Sequence, residues 1–343
     1  MKRDRQRNYG TALYTLLVDM GMFSFVLDNP ITSLGYIYAF KLIYSITVDL
    51  THGFKSYVLP KLWRAVFKNE SFVNRFGEWA VVTGCTQGIG RAYVSALAAR
   101  GMNVVLVSRN REVLMELAAS IEETHKVKAH VIVADFTDNN AVGDVVHDIK
   151  SKDLDIGVLV NNVGIFGPHF MPFLELEERM VQDMINVNIT VATLLCHAIL
   201  PGMNKKNKGA IINMCSSTSF YTMPYLSEYS ATKHYISAFT AGLQAENSDS
   251  QVIIQELDPG QVSTNMTKDL IEISSIEAPP PGALVESSLS TLGFTKQTGG
   301  WWFHSLHYTV VSWFFPKWFL NMFLKMFGRK QYEYSLAKVN KSK

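Results

Sequence analysis

From residue 76 to residue 275 short apolar runs alternate with longer segments in which apolar positions recur every three or four residues. The short runs are rich in Val and Ile and bounded by Gly, Asn or Asp, so they read as buried strands, and the periodic segments read as covering helices. The strands fall at Trp79–Thr83, Val104–Val107, His130–Val133, Val158–Val160, Ala210–Met214 and Val252–Leu257. Strand and helix in repeated alternation predict an α/β fold built on a doubly wound parallel sheet. A ligand of such a sheet sits beyond the carboxyl ends of the strands, where the strand order reverses.

The flanks are greasier than the centre. Tyr9–Leu27 is apolar over a membrane-spanning length apart from Asp19, and Ile31–Val48 is apolar apart from Lys41. The basic lead of Lys2, Arg3, Arg5 and Arg7 would stay cytosolic if the next segment inserts. Asp19, with no clean small-residue cleavage site after it, argues against a cleaved signal peptide. Towards the other end, Trp301, Trp302, Phe303, Trp313 and Trp318 are interleaved with His304, His307 and Lys317. Rings flanked by cations suit a membrane interface, or a cap over a pocket. Pro279–Pro281 is the clearest local break. The expected organisation is therefore a membrane anchor over 1–75, a nucleotide-binding catalytic domain over 76–275, and a substrate cap and aromatic interface over 276–343.

Charge and composition narrow the partners. Thirty-two basic residues against 30 acidic ones leave a net charge of +2, too little for a field that holds nucleic acid. A lipidic small molecule and a membrane are the expected partners. Cys85, Cys196 and Cys215 are odd in number and lack metal-ligand spacing, and the nine histidines show no paired spacing. Free thiols and no metal site are expected.

After the first strand comes Thr83-Gly84-Cys85-Thr86-Gln87-Gly88-Ile89-Gly90, and an amphipathic run follows from Arg91 to Arg100. Strand, glycine turn and helix in that order make a pyrophosphate site. The glycines allow a tight turn, and the free N–H groups and positive dipole end of the helix face the anion. The second strand is followed by Ser108-Arg109-Asn110. A carboxylate there would bind the ribose 2′-hydroxyl of NAD, whereas Arg109 fits the 2′-phosphate of NADP.

Taken in order, Thr83-Gly-x-x-x-Gly-x-Gly90, Asn161-Asn-Val-Gly164, Tyr229-Ser-Ala-Thr-Lys233 and Pro259-Gly260 resemble the motifs of classical short-chain dehydrogenases/reductases, oxidoreductases with a Rossmann sheet. Their joint occurrence is far more specific than any single match. Val163 stands where that family has alanine. Asn186-Val-Asn188, Leu200-Pro-Gly-Met203 and the stretch Thr291–Thr298 resemble the 17β-hydroxysteroid dehydrogenase and very-long-chain 3-oxoacyl-CoA reductase group. Tyr44–Trp63 and Leu292–His307 look closest to the hydroxysteroid dehydrogenase-like protein 1 branch. That branch is regarded as inactive because phenylalanine replaces its tyrosine, but here Tyr229 is present.

The chemistry of the third motif can be argued from the residues. Tyr229 and Lys233 are four apart on a predicted helix and project from one face. An ammonium beside a phenol favours phenolate and lowers its pKa towards the working range, so Tyr229 is the expected proton donor to a substrate oxygen. Other roles are implied by the resemblance. Ser216 would bind the substrate carbonyl, with Ser217 and Ser219 as nearby alternatives. Asn188 would hold a water of a proton relay, Lys233 the ribose, and Asp135 the adenine. Asn162 and Gly164 would contact the cofactor, and Pro259, Val262 and Thr264 would wrap its carboxamide.

Tyr221 and Tyr225 read as pocket walls, and the loop from Met266 to Glu286, with Lys268 as its one cation, is expected to line the pocket. The expected function is NADPH-dependent reduction of a lipidic ketone, either a very-long-chain 3-oxoacyl-CoA or a 17-ketosteroid. The alternative is a catalytically silent, membrane-bound, nucleotide-binding adaptor. The resemblance implies the endoplasmic reticulum membrane with a cytosolic core, and homo-oligomers formed through the helices carrying Asn188 and Tyr229. The basic, apolar N-terminus leaves a mitochondrial address as the other location, against which Asp4 and Asp19 count.

Overall fold

The computed structural model describes residues 30–66, 70–267 and 274–342. The apolar stretch Tyr9–Leu27 and the cation Lys268 lie outside the described residues. The chain divides into two units between His52 and Gly53.

Helix α1, Pro30–Gly53, supplies the described part of the first unit as far as His52. Tyr36, Ile37 and Tyr38 are consecutive and all exposed, so apolar surface runs round the helix rather than along one stripe. A core-packing helix shows a stripe, and a helix apolar on every side suits hydrocarbon. Its 24 residues span about 36 Å at the α-helical rise, enough for a hydrocarbon layer of about 30 Å. By length and composition α1 is a candidate membrane segment.

In the second unit a π-helical turn, Phe54–Val58, leads into α2, Leu59–Val66, and α3, Phe72–Phe76. Ser71 caps α3, its hydroxyl accepting from the Asn74 N–H at 3.2 Å. The sheet follows. Its strands are β1 Trp79–Thr83, β2 Asn103–Ser108, β3 Ala129–Val133, β4 Ile156–Asn161, β5 Ala210–Met214, β6 Ile253–Leu257 and β7 Gln297–Thr298. All pair in parallel in the order β3-β2-β1-β4-β5-β6-β7. The six expected strands are present to within one or two residues at each end. β7 was not legible because two residues carry no periodicity. It is defined by backbone bonds alone, Glu256 N–H to the Lys296 carbonyl and Asp258 N–H to the Thr298 carbonyl, both 2.9 Å.

Helices α4 Gly88–Ala98, α5 Arg111–His125, α6 Ala141–Ser151, α7 Glu178–Ile185, α8 Val191–Lys206, α9 Ser227–Glu246 and α10 Pro281–Ser290 follow in the chain, then α11 Trp302–Phe314 and α12 Lys317–Ser342. Alternate strand residues feed two cores. Ala80, Val82, Val104 and Leu106 pack with Tyr93, Leu97, Leu114 and Leu289 from α4, α5 and α10. Val81, Val105 and Val107 pack with Val145, Leu195 and Ile199 from α6 and α8. Burial on both faces explains why the strands read as continuous apolar runs. The order reverses between β1 and β4, which opens a crevice at their carboxyl ends.

Helix α10 is fastened to α4 by Arg100 and Glu286, 2.7 Å apart, and by the Tyr93 hydroxyl, 2.8 Å from Ser288 Oγ. Tyr93 and Ser288 are fully buried. Tyr93→Phe strands the serine hydroxyl, and urea denaturation should show a loss of about 1–2 kcal/mol. An unchanged or higher midpoint would contradict this packing.

Candidate active site

The glycine turn is built at the carboxyl end of β1. Gly84 at φ +64° and Gly88 at φ +56° occupy the left-handed region, which side chains rarely adopt. At Gly90 the constraint is space, since an added Cβ would lie 2.3 Å from the Gly84 carbonyl oxygen and 2.5 Å from Asn162 Nδ2. Asn162 Nδ2 donates to the carbonyls of Thr83 at 2.9 Å and Gly84 at 3.1 Å. Thr83 Oγ1 in turn accepts the N–H groups of Asn162 at 3.0 Å and Val163 at 3.1 Å. The motifs that end β1 and β4 thus lock each other in place. From the far side, Asn265 Nδ2 donates to Gln87 Oε1 at 2.8 Å.

A cavity of about 460 Å³ opens above this turn. Gly84, Thr86, Gln87, Gly88, Ile89 and Gly90 line one part of it. Arg109 lies on its wall, exposed, and Asp135 faces it with Oδ1 accepting from the Thr137 N–H at 3.1 Å and hydroxyl at 3.0 Å. Asn162 and Gly164 come from the end of β4, and Pro259, Val262 and Thr264 from the segment after β6.

Ser216, Tyr229 and Lys233 converge on the same cavity. Ser216 follows β5, and its hydroxyl lies near the Tyr229 phenol and accepts the Thr218 N–H at 3.2 Å. Lys233 is 3% exposed, and its Nζ donates to the Met214 carbonyl at 2.8 Å. Here the expected electrostatics are corrected. Burial pushes the Tyr229 phenol up to about 12, with the nearby Ser216 hydroxyl acting in the opposite direction. The ammonium does not reverse this, because it is turned to the Met214 carbonyl and sits 5.7 Å from the Tyr229 ring centroid. Burial also lowers Lys233 itself. The phenol is therefore held protonated, a proton in reserve.

Of the expected catalytic and cofactor-binding residues, Asn188 alone does not line the cavity. It lies in the π-helical turn Asn186–Thr190 between α7 and α8. Its Oδ1 accepts the Ile165 N–H at 2.8 Å, while Nδ2 donates to the Ile165 carbonyl at 2.8 Å and to Thr232 Oγ1 at 3.1 Å. It stays close to the lysine all the same, since a Cβ on Gly164 would lie 3.4 Å from Asn188 Oδ1 and 3.5 Å from Lys233 Nζ.

Neither Tyr221 nor Tyr225 lines the cavity. Tyr225 stands behind the wall, stacked on Tyr332 of α12 at 5.6 Å between ring centroids. Ser219 is also drawn away, lying 2.6 Å from Asp258 Oδ1. The apolar wall that sequence reasoning missed is supplied by Phe166, Phe170, Met223, Leu226 and Phe327. Phe166 meets Tyr229 edge-on at 6.0 Å, and Phe170 meets Phe327 of α12 at 6.3 Å. A signal existed in the spacing of Leu324, Gly328, Gln331 and Ser335, all buried along one face of α12, but only one of the four is a large apolar residue.

Comparisons with known proteins agree with this geometry. Residues 78–274 match the family model described as short chain dehydrogenase. The chain is 38% identical over 278 residues to inactive hydroxysteroid dehydrogenase-like protein 1 of Pongo abelii, covering 80% of this chain and 82% of that one. It is 39% identical over 242 residues to very-long-chain 3-oxoacyl-CoA reductase of Anas platyrhynchos, covering 70% and 75%. A short-chain dehydrogenase from Sphingobium yanoikuyae, solved in complex with NADPH, is similar with a TM-score of 0.57 at 29% identity, over 62% of this chain and 83% of that one. The chain belongs to the short-chain dehydrogenase family, oxidoreductases that bind a nicotinamide cofactor and act on small molecules.

Behind Ser216 lies a buried acid pair that the sequence reading passed over. Ligand atoms of Cys215, Glu256 and Asp258 lie within 4.8 Å of one another. Asp258 Oδ2 accepts from Gln297 Nε2 at 3.0 Å, but burial, and then the neighbouring Glu256, hold its carboxyl well above the usual range. A carboxyl raised in the folded state binds a proton that the unfolded chain releases, so stability falls as pH rises above about 4. Glu256→Gln removes the like charge and should flatten that decline, raising stability at pH 8 by on the order of 1 kcal/mol. Thermal melts at pH 5 and pH 8 check this, and a variant that loses stability equally at both would contradict it.

Proposed function

We propose that the chain is a membrane-attached, NADPH-dependent reductase of a lipidic ketone. The observation that carries this reading is the half-buried Tyr229 phenol, held protonated and facing, together with Ser216, a cavity with an apolar wall. The cofactor fits the residues present. The turn below the cavity has no room for a Cβ at Gly90, and Arg109 stands exposed on the wall.

In this reading Gly84, Thr86, Gln87, Gly88, Ile89 and Gly90 hold the pyrophosphate at the start of α4. Arg109 pairs with the 2′-phosphate, and Asp135 contacts the adenine. Asn162 and Gly164 support the sugar, and Pro259, Val262 and Thr264 hold the carboxamide. Bound NADPH supplies the hydride that reduces the ketone. Ser216 and Tyr229 hydrogen-bond the carbonyl oxygen, and Tyr229 donates its proton there as the oxygen gains charge. Lys233 holds the ribose hydroxyls and stabilises the phenolate left behind, and Asn188 connects it to a relay that restores the proton.

The substrates that suit an apolar wall in a membrane-attached chain are a very-long-chain 3-oxoacyl-CoA and a 17-ketosteroid. Residues 1–75 serve as anchor, 76–275 hold the cofactor and 276–343 cap the substrate, with the chain at the endoplasmic reticulum membrane. Exposed Leu194 on α8 and Tyr235 on α9 offer apolar surface for a homo-oligomer. The second reading, a silent nucleotide-binding protein, is favoured by the relatives named inactive. Tyr229 is the residue that separates the two.

NADPH oxidation measured with both substrate classes should fall about 10²- to 10⁴-fold in Tyr229→Phe, while NADPH binding is retained. Turnover equal in parent and variant would favour the silent reading. Arg109→Asp should weaken NADPH relative to NADH on the order of tenfold in a fluorescence titration. An unchanged ratio would remove Arg109 from the cofactor site.

A further inference from the structure

Among the described residues, two buried side chains on the cavity wall have a polar atom without a hydrogen-bond partner, Thr218 Oγ1 and Gln331 Oε1. Thr218 belongs to the short turn that begins at Ser216, so it is part of the end where the reacting carbonyl is held. Gln331 comes from α12, far away in sequence, and is 2% exposed. It occupies the inward face of α12 with Leu324, Gly328 and Ser335, a position where Leu or Met is the ordinary occupant. A buried amide oxygen with nothing to bond is destabilising, and natural structures keep few of them.

The helix is fixed in a way that holds this amide inward. The Tyr332 hydroxyl donates to Glu175, 2.8 and 3.0 Å from its two oxygens. On the same helix Phe327 meets Phe170, and Gly328 is so close to the chain that an added Cβ would lie 2.5 Å from the Pro224 carbonyl oxygen. Tyr225, which stacks on Tyr332, takes φ +68°, a strained value for an aromatic residue. The contacts on both sides of Gln331 thus come from the loops that carry the cavity wall.

The geometry points to Gln331 as the residue that recognises a second polar group on the substrate, a hydroxyl or an amide carried by an elongated apolar ketone. The reacting carbonyl oxygen does not satisfy it, because that oxygen and Gln331 Oε1 are both acceptors, and Tyr229 and Ser216 serve the carbonyl in the proposed reaction. The unpaired atom is the carboxamide oxygen, an acceptor, so it pairs with the O–H of a hydroxyl or the N–H of an amide. A ketone without such a group leaves the amide unpaired in the complex and is discriminated against. This inference rests on reading the cavity as a ketone site. A hydroxylated steroid and an acyl-pantetheine thioester both offer the required chemistry.

The test uses the full-length chain with NADPH and two matched pairs of ketones. One pair is a 17-ketosteroid with a hydroxyl on its far ring and the same skeleton without it. The other is a 3-oxoacyl pantetheine thioester and the methyl ketone of the same chain. In the parent, kcat/KM should favour the hydrogen-bonding member of one pair by roughly ten- to a hundredfold, and which pair does so identifies the source of the group. Gln331→Met, close in shape but apolar, should bring that ratio towards one without lowering the melting temperature of the ligand-free protein. Ratios near one for both pairs in the parent, a ratio unchanged in Gln331→Met, or a large drop in its melting temperature would overturn the inference. Failure of all four ketones to be reduced would count against the proposed reaction instead. The same pairs are then compared by the rise in melting temperature they give the NADPH-bound protein, where equal rises in parent and Gln331→Met would overturn the role of Gln331.

Discussion

The approach of Gly90 to the Gly84 carbonyl, too close for a Cβ at Gly90, is the constraint from which the cofactor end of the molecule follows. It lets α4 begin directly under the end of β1, so that its first unpaired N–H groups face the crevice. The same approach leaves Asn162 room to donate to both Thr83 and Gly84, which ties the end of β4 to the turn. With β1 and β4 locked, Gly164 follows at a fixed place, and Asn188 and Lys233 are drawn towards it from two different helices. The glycine turn therefore fixes where a phosphate can rest and also where the tyrosine-bearing helix must stand.

At the other end of the cavity burial, rather than a neighbouring cation, sets the chemistry. Tyr229 sits in an environment that opposes the phenolate, and Lys233 is itself buried and turned to a backbone carbonyl. A phenol kept neutral is suited to giving a proton up when negative charge develops on an oxygen beside it. The acid pair of Glu256 and Asp258 behind Ser216 belongs to the same low-dielectric region, which explains why one of its members resists ionisation.

Much of this was legible in the chain. Six strands could be read because both sheet faces are covered, which turns each strand into an unbroken apolar run, and the glycine turn could be read because its residues are dictated by backbone geometry and by space. Arg109 could be placed by its offset from a strand end, Tyr229 and Lys233 by their motif and its four-residue spacing, and Ser216 by family resemblance. What escaped depends on contacts remote in sequence. β7 is two residues paired through backbone alone. Helix α12 reaches the cavity with Phe327 and Gln331, and its buried face of Leu324, Gly328, Gln331 and Ser335 has small and polar members that hide it from any hydrophobic pattern. The direction of the Tyr229 shift was misjudged because a spacing of four residues says that two side chains share a face, not where the ammonium points.

The most direct measurement is the NADPH affinity of Gly90→Ala, read together with its far-ultraviolet circular dichroism. One added methyl group should abolish binding while the secondary structure of the sheet and helices is retained. An affinity equal to that of the parent in a folded variant would contradict it.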